Sequence, residues 1–141
     1  MKRYILALLC IVAVASCSKV GNYSVYSHKY PVYYTCNTAM SPFNQITSLG
    51  RFVSVRMKNI ELEVTDADGN KSVHQLSETD MRSFSFGLGG LIIGTPSLNN
   101  DNVSVYAFDL ACPICDKAKH RLTFNYLGIA KCSNCNSTWN L

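Results

Sequence analysis

Arg51-Phe52-Val53-Ser54-Val55-Arg56-Met57, then Ile60-Glu61-Leu62-Glu63-Val64, then Asp66-Ala67-Asp68-Gly69-Asn70-Lys71, is the stretch from which the fold is read. Successive side chains of an extended chain point to opposite faces, so Val53, Val55 and Met57 share one face while Ser54 and Arg56 take the other. Ile60, Leu62 and Val64 alternate in the same way with Glu61 and Glu63. Asp68-Gly69 supplies the backbone freedom of a tight hairpin, and Ser72–Leu76 is the expected return strand. Ser77 with Asp80 has the form of a capping box, which predicts one helical turn over Ser77–Arg82. Further along, Leu91-Ile92-Ile93 and Val103–Leu110 read as strands. Toward the N-terminus, Val32–Cys36 reads as a strand, followed by a turn-rich stretch with Ser41-Pro42 and Leu49-Gly50. Heptads, repeats and long amphipathic helices are absent. Short strands separated by turn signals predict an all-β sandwich or barrel over residues 32–141.

Two loops invite other readings. Asp66–Lys71 has the Asp-x-Asp-Gly form of a calcium loop, but Asn70-Lys71-Ser72-Val73 brings neither further acidic ligands nor a closing Glu, so a hairpin turn is expected. Gly87-Leu88-Gly89-Gly90 lacks the Gly-Lys-Ser/Thr ending of a phosphate loop. Its glycines are expected to permit tight backbone geometry leading into a strand.

The length of 141 residues fits one domain of ordinary size; 48% hydrophobic and 16% charged residues exclude both a disordered and a highly charged chain. The net charge is +4, from 13 basic and 9 acidic residues, and loss of Lys2 and Arg3 would leave 11 against 9, or +2. So small a balance argues against nucleic acid as a partner. Lys2-Arg3 precedes an apolar run of 11 residues, Ile5–Ala15, too short to span a bilayer but suited to a secretory signal. Val14-Ala15-Ser16-Cys17 resembles the lipobox of bacterial lipoproteins. The resemblance implies a signal peptide over 1–16 and lipidation of Cys17. It also implies a membrane anchor of acyl chains, each buried CH₂ contributing about 0.8 kcal/mol. The expected location is the bacterial cell envelope, periplasm-facing or at the outer membrane. Residues 17–31 are read as a tether. Its tyrosines and their neighbours (Tyr23, Tyr26, Tyr30, Tyr33, Tyr34) are expected as strand and linker aromatics, with a membrane-interface or binding surface as the alternative.

The chemistry concentrates near the C-terminus. Cys112-Pro113-Ile114-Cys115 and Cys132-Ser133-Asn134-Cys135 are two Cys-x-x-Cys pairs with 16 residues between them. Two thiolates at this spacing converge on one ion from a tight turn whose backbone N–H groups face the sulfurs. Two such turns complete a tetrahedron around Zn²⁺ with bonds of about 2.3 Å. Leu122–Gly128 reads as the strand and turn between them. The same sulfurs can ligate a single iron or a 2Fe–2S cluster. Two readings without metal stand beside this one. In an exported protein the four cysteines can form disulfides in three pairings. Alternatively Cys112-Pro113-Ile114-Cys115 is a redox dithiol, although Asp116–His120 is too short for the helix such a motif requires.

Three segments carry a family resemblance: Gly89-Gly90-Leu91-Ile92-Ile93-Gly94, Val105-Tyr106-Ala107-Phe108-Asp109-Leu110-Ala111-Cys112-Pro113, and Cys132-Ser133-Asn134-Cys135-Asn136-Ser137-Thr138-Trp139. Together they resemble a Rieske-type domain, and more narrowly the Rieske-like lipoproteins of some bacteria. The resemblance implies a Rieske-like β domain with a metal-binding subdomain at 110–137, in which Cys112 and Cys132 match the family's cysteines. The family's histidine ligands have no counterpart: Cys115 stands one residue beyond the first and Cys135 replaces the second. The implied site is therefore a zinc-ribbon-like Cys₄ centre on a Rieske-like scaffold. The family continues past its second loop, which implies that this chain is shortened or a fragment.

Catalytic signatures are lacking. His28, His74 and His120 are scattered, with His120 expected as a solvated loop residue, and Cys36 is expected as a small buried hydrophobe rather than a nucleophile. Two functions remain: a membrane-anchored, non-catalytic binding or structural module with a zinc site, or a 2Fe–2S electron-transfer protein.

Overall fold

The computed structural model describes Tyr26, residues 29–98 and residues 105–141. The signal segment 1–16, Cys17, Tyr23, His28 and Val103 lie outside the described residues. In chain order the elements are β1 (Val32–Tyr33), a 3₁₀ turn (Phe43–Thr47), β2 (Arg51–Lys58), β3 (Glu61–Asp66), β4 (Lys71–Gln75), α1 (Glu78–Ser83) and β5 (Ser85–Phe86). They continue with β6 (Leu91–Thr95), β7 (Tyr106–Asp109), β8 (Leu122–Phe124), β9 (Ile129–Cys132) and β10 (Thr138–Asn140). Among the described residues these strands pair antiparallel throughout, with one isolated parallel bridge between Leu49 and Thr95. The main sheet runs β4-β3-β2-β6-β7, a smaller one runs β8-β9-β10, and β1 pairs with β5. The all-β expectation is met, and no helix among the described residues is long and apolar enough to cross a membrane.

Strands β2 and β6 are buried on both faces. On one face Val53, Val55, Leu62, Val64, Leu91 and Ile93 pack under Phe43, Ile46 and Phe86. Thr95 closes this side by donating its hydroxyl to the Ile46 carbonyl at 2.7 Å, which removes the cost of burying it. On the opposite face Phe52 and Ile92 meet Leu110, Cys112, Leu122, Ala130 and Cys132. Burial on two sides explains why Phe52-Val53 and Leu91-Ile92-Ile93 are continuous apolar runs, each fully buried side chain contributing about 1.5–3 kcal/mol.

Several local expectations change. Met57 is exposed, because β6 pairs with β2 only from Arg51 to Val55 and leaves the far end of that face uncovered. Ile60 is not a strand residue. With Asn59 at φ 58° it forms the turn between Lys58 and Glu61. The strand expected over Val32–Cys36 stops at Tyr33; Tyr34 and Cys36 pack against the main core, Tyr34 edge-on to Phe84 at 5.2 Å. The strand expected from Val103 is observed from Tyr106.

The hairpin at Asp66–Lys71 forms as expected. The Asp66 carboxylate accepts from the backbone N–H groups of Asp68 and Asn70 and from the Asn70 amide, each at 2.9 Å. Burial raises its proton affinity, yet these hydrogen bonds prevail and hold it below the ordinary carboxylate range. The oxygens a calcium ion would need are spent on the turn. The capping box also forms: Asp80 N–H donates to the Ser77 hydroxyl oxygen at 3.1 Å and Ser77 N–H to the Asp80 carboxylate at 3.3 Å.

The Gly87–Gly90 loop lies against the end of β7. Asp109 accepts from Leu88 N–H at 2.6 Å, Gly89 N–H at 3.1 Å and Ala111 N–H at 2.7 Å, tying the loop to the residue before Cys112. A Cβ on Gly89 would lie 2.7 Å from the Ala111 nitrogen, a distance that requires backbone to move. Gly69, at φ +85°, has nothing within 4 Å of its Cβ position. Gly89→Ala is therefore expected to cost about 1–3 kcal/mol and to expose Cys112 to thiol reagents in metal-free protein. Gly69→Ala is expected to cost about 1 kcal/mol through backbone strain alone and to leave Cys112 protected. Urea midpoints with thiol labelling distinguish the two, and equal labelling would contradict the steric account.

Candidate metal centre

Each cysteine pair sits in a turn of the same construction. Asp116 N–H donates to the Cys112 carbonyl at 3.0 Å, and Asn136 N–H donates to the Cys132 carbonyl at 2.9 Å. The residue after the second cysteine takes the left-handed conformation in both, Asp116 at φ 47° and Asn136 at φ 58°. Asp and Asn tolerate that region better than other non-glycine residues, so the sequences Cys-x-x-Cys-Asp and Cys-x-x-Cys-Asn suit the turn they form. Neighbouring backbone fixes the first cysteine of each pair: Cys112 N–H donates to the His120 carbonyl at 2.8 Å and Cys132 N–H to the Ser137 carbonyl at 3.0 Å.

The four sulfurs Cys112, Cys115, Cys132 and Cys135 all lie within 4.8 Å of one another. The Sγ–Sγ separations are 3.6 Å for Cys112 and Cys135 and 3.8 Å for Cys115 and Cys132. A regular tetrahedron with metal–sulfur bonds of about 2.3 Å has sulfur–sulfur edges of about 3.8 Å. A disulfide needs about 2.05 Å, and the described cysteines are all free. The turns at Pro113–Asp116 are not followed by a helix, so the redox-dithiol reading lacks its supporting element.

A backbone N–H faces a sulfur as expected, and two side chains that the spacing of the cysteines does not point to, Asn134 and Ser137, join it. Cys115 N–H points at the Cys112 sulfur at 3.4 Å, the Asn134 amide donates to the Cys115 sulfur at 3.3 Å, and the Ser137 hydroxyl lies 3.4 Å from the Cys135 sulfur. Their signal was present in the polar residues inside and after the second pair. Burial pushes the Cys112 thiol up to about 12, against the smaller opposing effect of the Cys115 N–H. Cys115 is also raised by loss of solvent, whereas the hydroxyl and backbone N–H of Ser137 hold Cys135 down at about 6.

The surroundings are anchored to the main sheet. Arg121 donates Nε–H to the Gly89 carbonyl at 2.9 Å, and the Tyr26 hydroxyl donates to the Ala111 carbonyl, so the segment read as a tether touches the first cysteine turn. Burial, then the nearby Asp109 carboxylate, raises the Tyr26 phenol well above its ordinary value. His120 is half-buried rather than solvated, contributing its carbonyl and not its ring to Cys112. His74 is exposed on β4, and Cys36 is half-buried with its thiol raised by burial, packing on the core cluster that does not contain the four sulfurs. His28 and the lipidation residue Cys17 lie outside the described residues. Comparisons of the chain with protein-family models, with curated proteins and with solved structures find no match.

Proposed function

We propose that Cys112, Cys115, Cys132 and Cys135 hold one structural zinc ion, and that the protein is a non-catalytic module of the bacterial cell envelope, anchored by lipid at Cys17. The observation that carries the metal reading is the mutual proximity of all four sulfurs, within 4.8 Å. A two-iron cluster spreads its terminal sulfurs over two metals and separates the pairs further, so this group suits a single ion better than 2Fe–2S chemistry. Thiolate softness and four-fold ligation favour zinc, or a single iron as in other all-cysteine sites. The scaffold reading is Rieske-like. Strand β7 leading into the first cysteine turn, and the β9–β10 pair enclosing the second, support it. The ion would contribute by tying the two turns together; β8, β9 and β10 are three or four residues long and have little core of their own.

Three outcomes are expected. Elemental analysis of the purified protein should find one zinc per chain and no visible absorption; a red-brown protein with visible bands would replace this reading with electron transfer. Cys112→Ser should lower amide-exchange protection across 110–137, most strongly over the second turn and β10, while the pairing of β2 with β3 persists, and uniform loss everywhere would contradict a local role for the ion. Binding must displace the proton that Cys112 holds up to about 12, so affinity rises with pH and falls on acidification. Between about pH 8 and about pH 5, zinc transfer to a chromophoric chelator should become easier by about tenfold or more per unit, and a flat profile would argue against thiolate ligation.

A further inference from the structure

We infer that oxidation of this centre expels its ion and joins the two cysteine turns to each other, through Cys112–Cys135 and Cys115–Cys132 bridges, rather than closing each turn on itself. The inference rests on the proposed metal reading for the ion that leaves, but the choice of pairs rests on the sulfur positions alone. Two sulfur contacts run between turns, at 3.6 Å and 3.8 Å, inside a group whose members all lie within 4.8 Å of one another. Each joins a buried sulfur to a half-buried one. Cys112 and Cys132 are 0% exposed, whereas Cys115 and Cys135 reach the surface. A dissolved oxidant therefore meets Cys115 and Cys135 first, and for each a buried sulfur of the opposite turn stands within 3.8 Å, in position to complete the reaction.

With hydrogen peroxide as oxidant the steps balance. The Cys135 thiolate attacks one peroxide oxygen, the O–O bond breaks, and a sulfenic acid and hydroxide form. The Cys112 thiolate then attacks the Cys135 sulfur, forming the S–S bond and releasing a second hydroxide. Cys115 and Cys132 react likewise with a second peroxide. Four thiolates lose four electrons, two peroxides accept them, and Zn²⁺ departs without changing oxidation state. The chemical result is that the three-stranded sheet stays fastened to the main sheet after the ion has gone. Two bridges within the turns would instead leave the turns free to part. In an exported protein, where oxidants are met, this gives the same fold two alternative fasteners.

The test is peroxide treatment of the full chain loaded with one equivalent of zinc, followed by tryptic mapping without reductant. Trypsin cleaves after Lys117 and Lys131. Bridges between turns keep the peptide containing Cys112 and Cys115 linked to the one beginning at Cys132; bridges within turns release them as two separate cyclised peptides. The expected result is linked peptides, with zinc released in step with their appearance. Separate peptides from a protein that had bound zinc would overturn the inference and leave the metal reading intact. Failure to bind zinc, with linked peptides still formed on oxidation, would overturn the metal reading instead. The pairing itself is resolved by two double variants. Cys115→Ser with Cys132→Ser retains the close pair Cys112 and Cys135 and should cross-link at least tenfold faster than Cys115→Ser with Cys135→Ser, which retains the two buried sulfurs. Equal rates in variants with matching circular dichroism would refute the assignment of pairs.

Discussion

Phe52 and Ile92 set the constraint from which the rest of the molecule follows. They project from the two central strands away from the main core, and an apolar face left bare there would favour aggregation or unfolding. The cover available is a sheet of very short strands. Such a sheet is marginal in water, so something other than its own apolar area must hold it in place. Cys112 and Cys132 answer both needs at once: they are among the fully buried side chains that pack on Phe52 and Ile92, and they belong to the four-sulfur group. The same two residues pack the core and stand in the group that could hold an ion.

The two cysteine turns are held very differently by the protein. The first is tied to the main sheet by the three hydrogen bonds to Asp109, by Arg121 on the Gly89 carbonyl, by Tyr26 on the Ala111 carbonyl and by Leu122 N–H on the Leu110 carbonyl. The second depends on β9 and β10, with Leu141 N–H on the Gly128 carbonyl closing the far end. An ion at the centre would therefore link a fixed half to a loose half. Its contribution would fall mainly on the second turn and β10, because the first turn already has a scaffold.

Alternation at Val53–Val55 and Leu62–Val64 was readable because one side of those strands is uniformly apolar, and the Asp68-Gly69 and Ser77/Asp80 signals act through neighbours in sequence. The four clustered cysteines were readable for the same reason: their convergence depends on spacing within a turn. What escaped the sequence depends on distant residues. Met57 follows the apolar period, yet where β6 ends decides its exposure. Tyr34 looks like a strand residue, but Phe43, Phe84 and Phe86 draw it into the core. Asp109 carries no local sign that it will collect three N–H groups from two separate loops, and Tyr26 reaches Ala111 across 85 positions of sequence. The proposals of a Rieske-like scaffold and a lipid anchor rest on sequence resemblance.

The charged groups of one groove beside the sulfur centre are engaged with one another or with backbone. A groove of about 340 Å³ between the β3–β4 hairpin and β8 contains Arg56, Glu63, Asp66 and Lys71. Arg56 donates Nε–H to Glu63 at 3.0 Å, and Lys71 lies 3.5 Å from the same carboxylate. Burial of Glu63 would raise its proton affinity, but these two cations overcome it and keep the group ionised, below its ordinary range. A carboxylate so engaged is a poor general base, since abstracting a proton would first require giving up its partners. Asp66 is bound into its own turn. The sulfurs differ from these carboxylates: two are shielded and two reach solvent, and the four stand within 4.8 Å of one another between the two sheets.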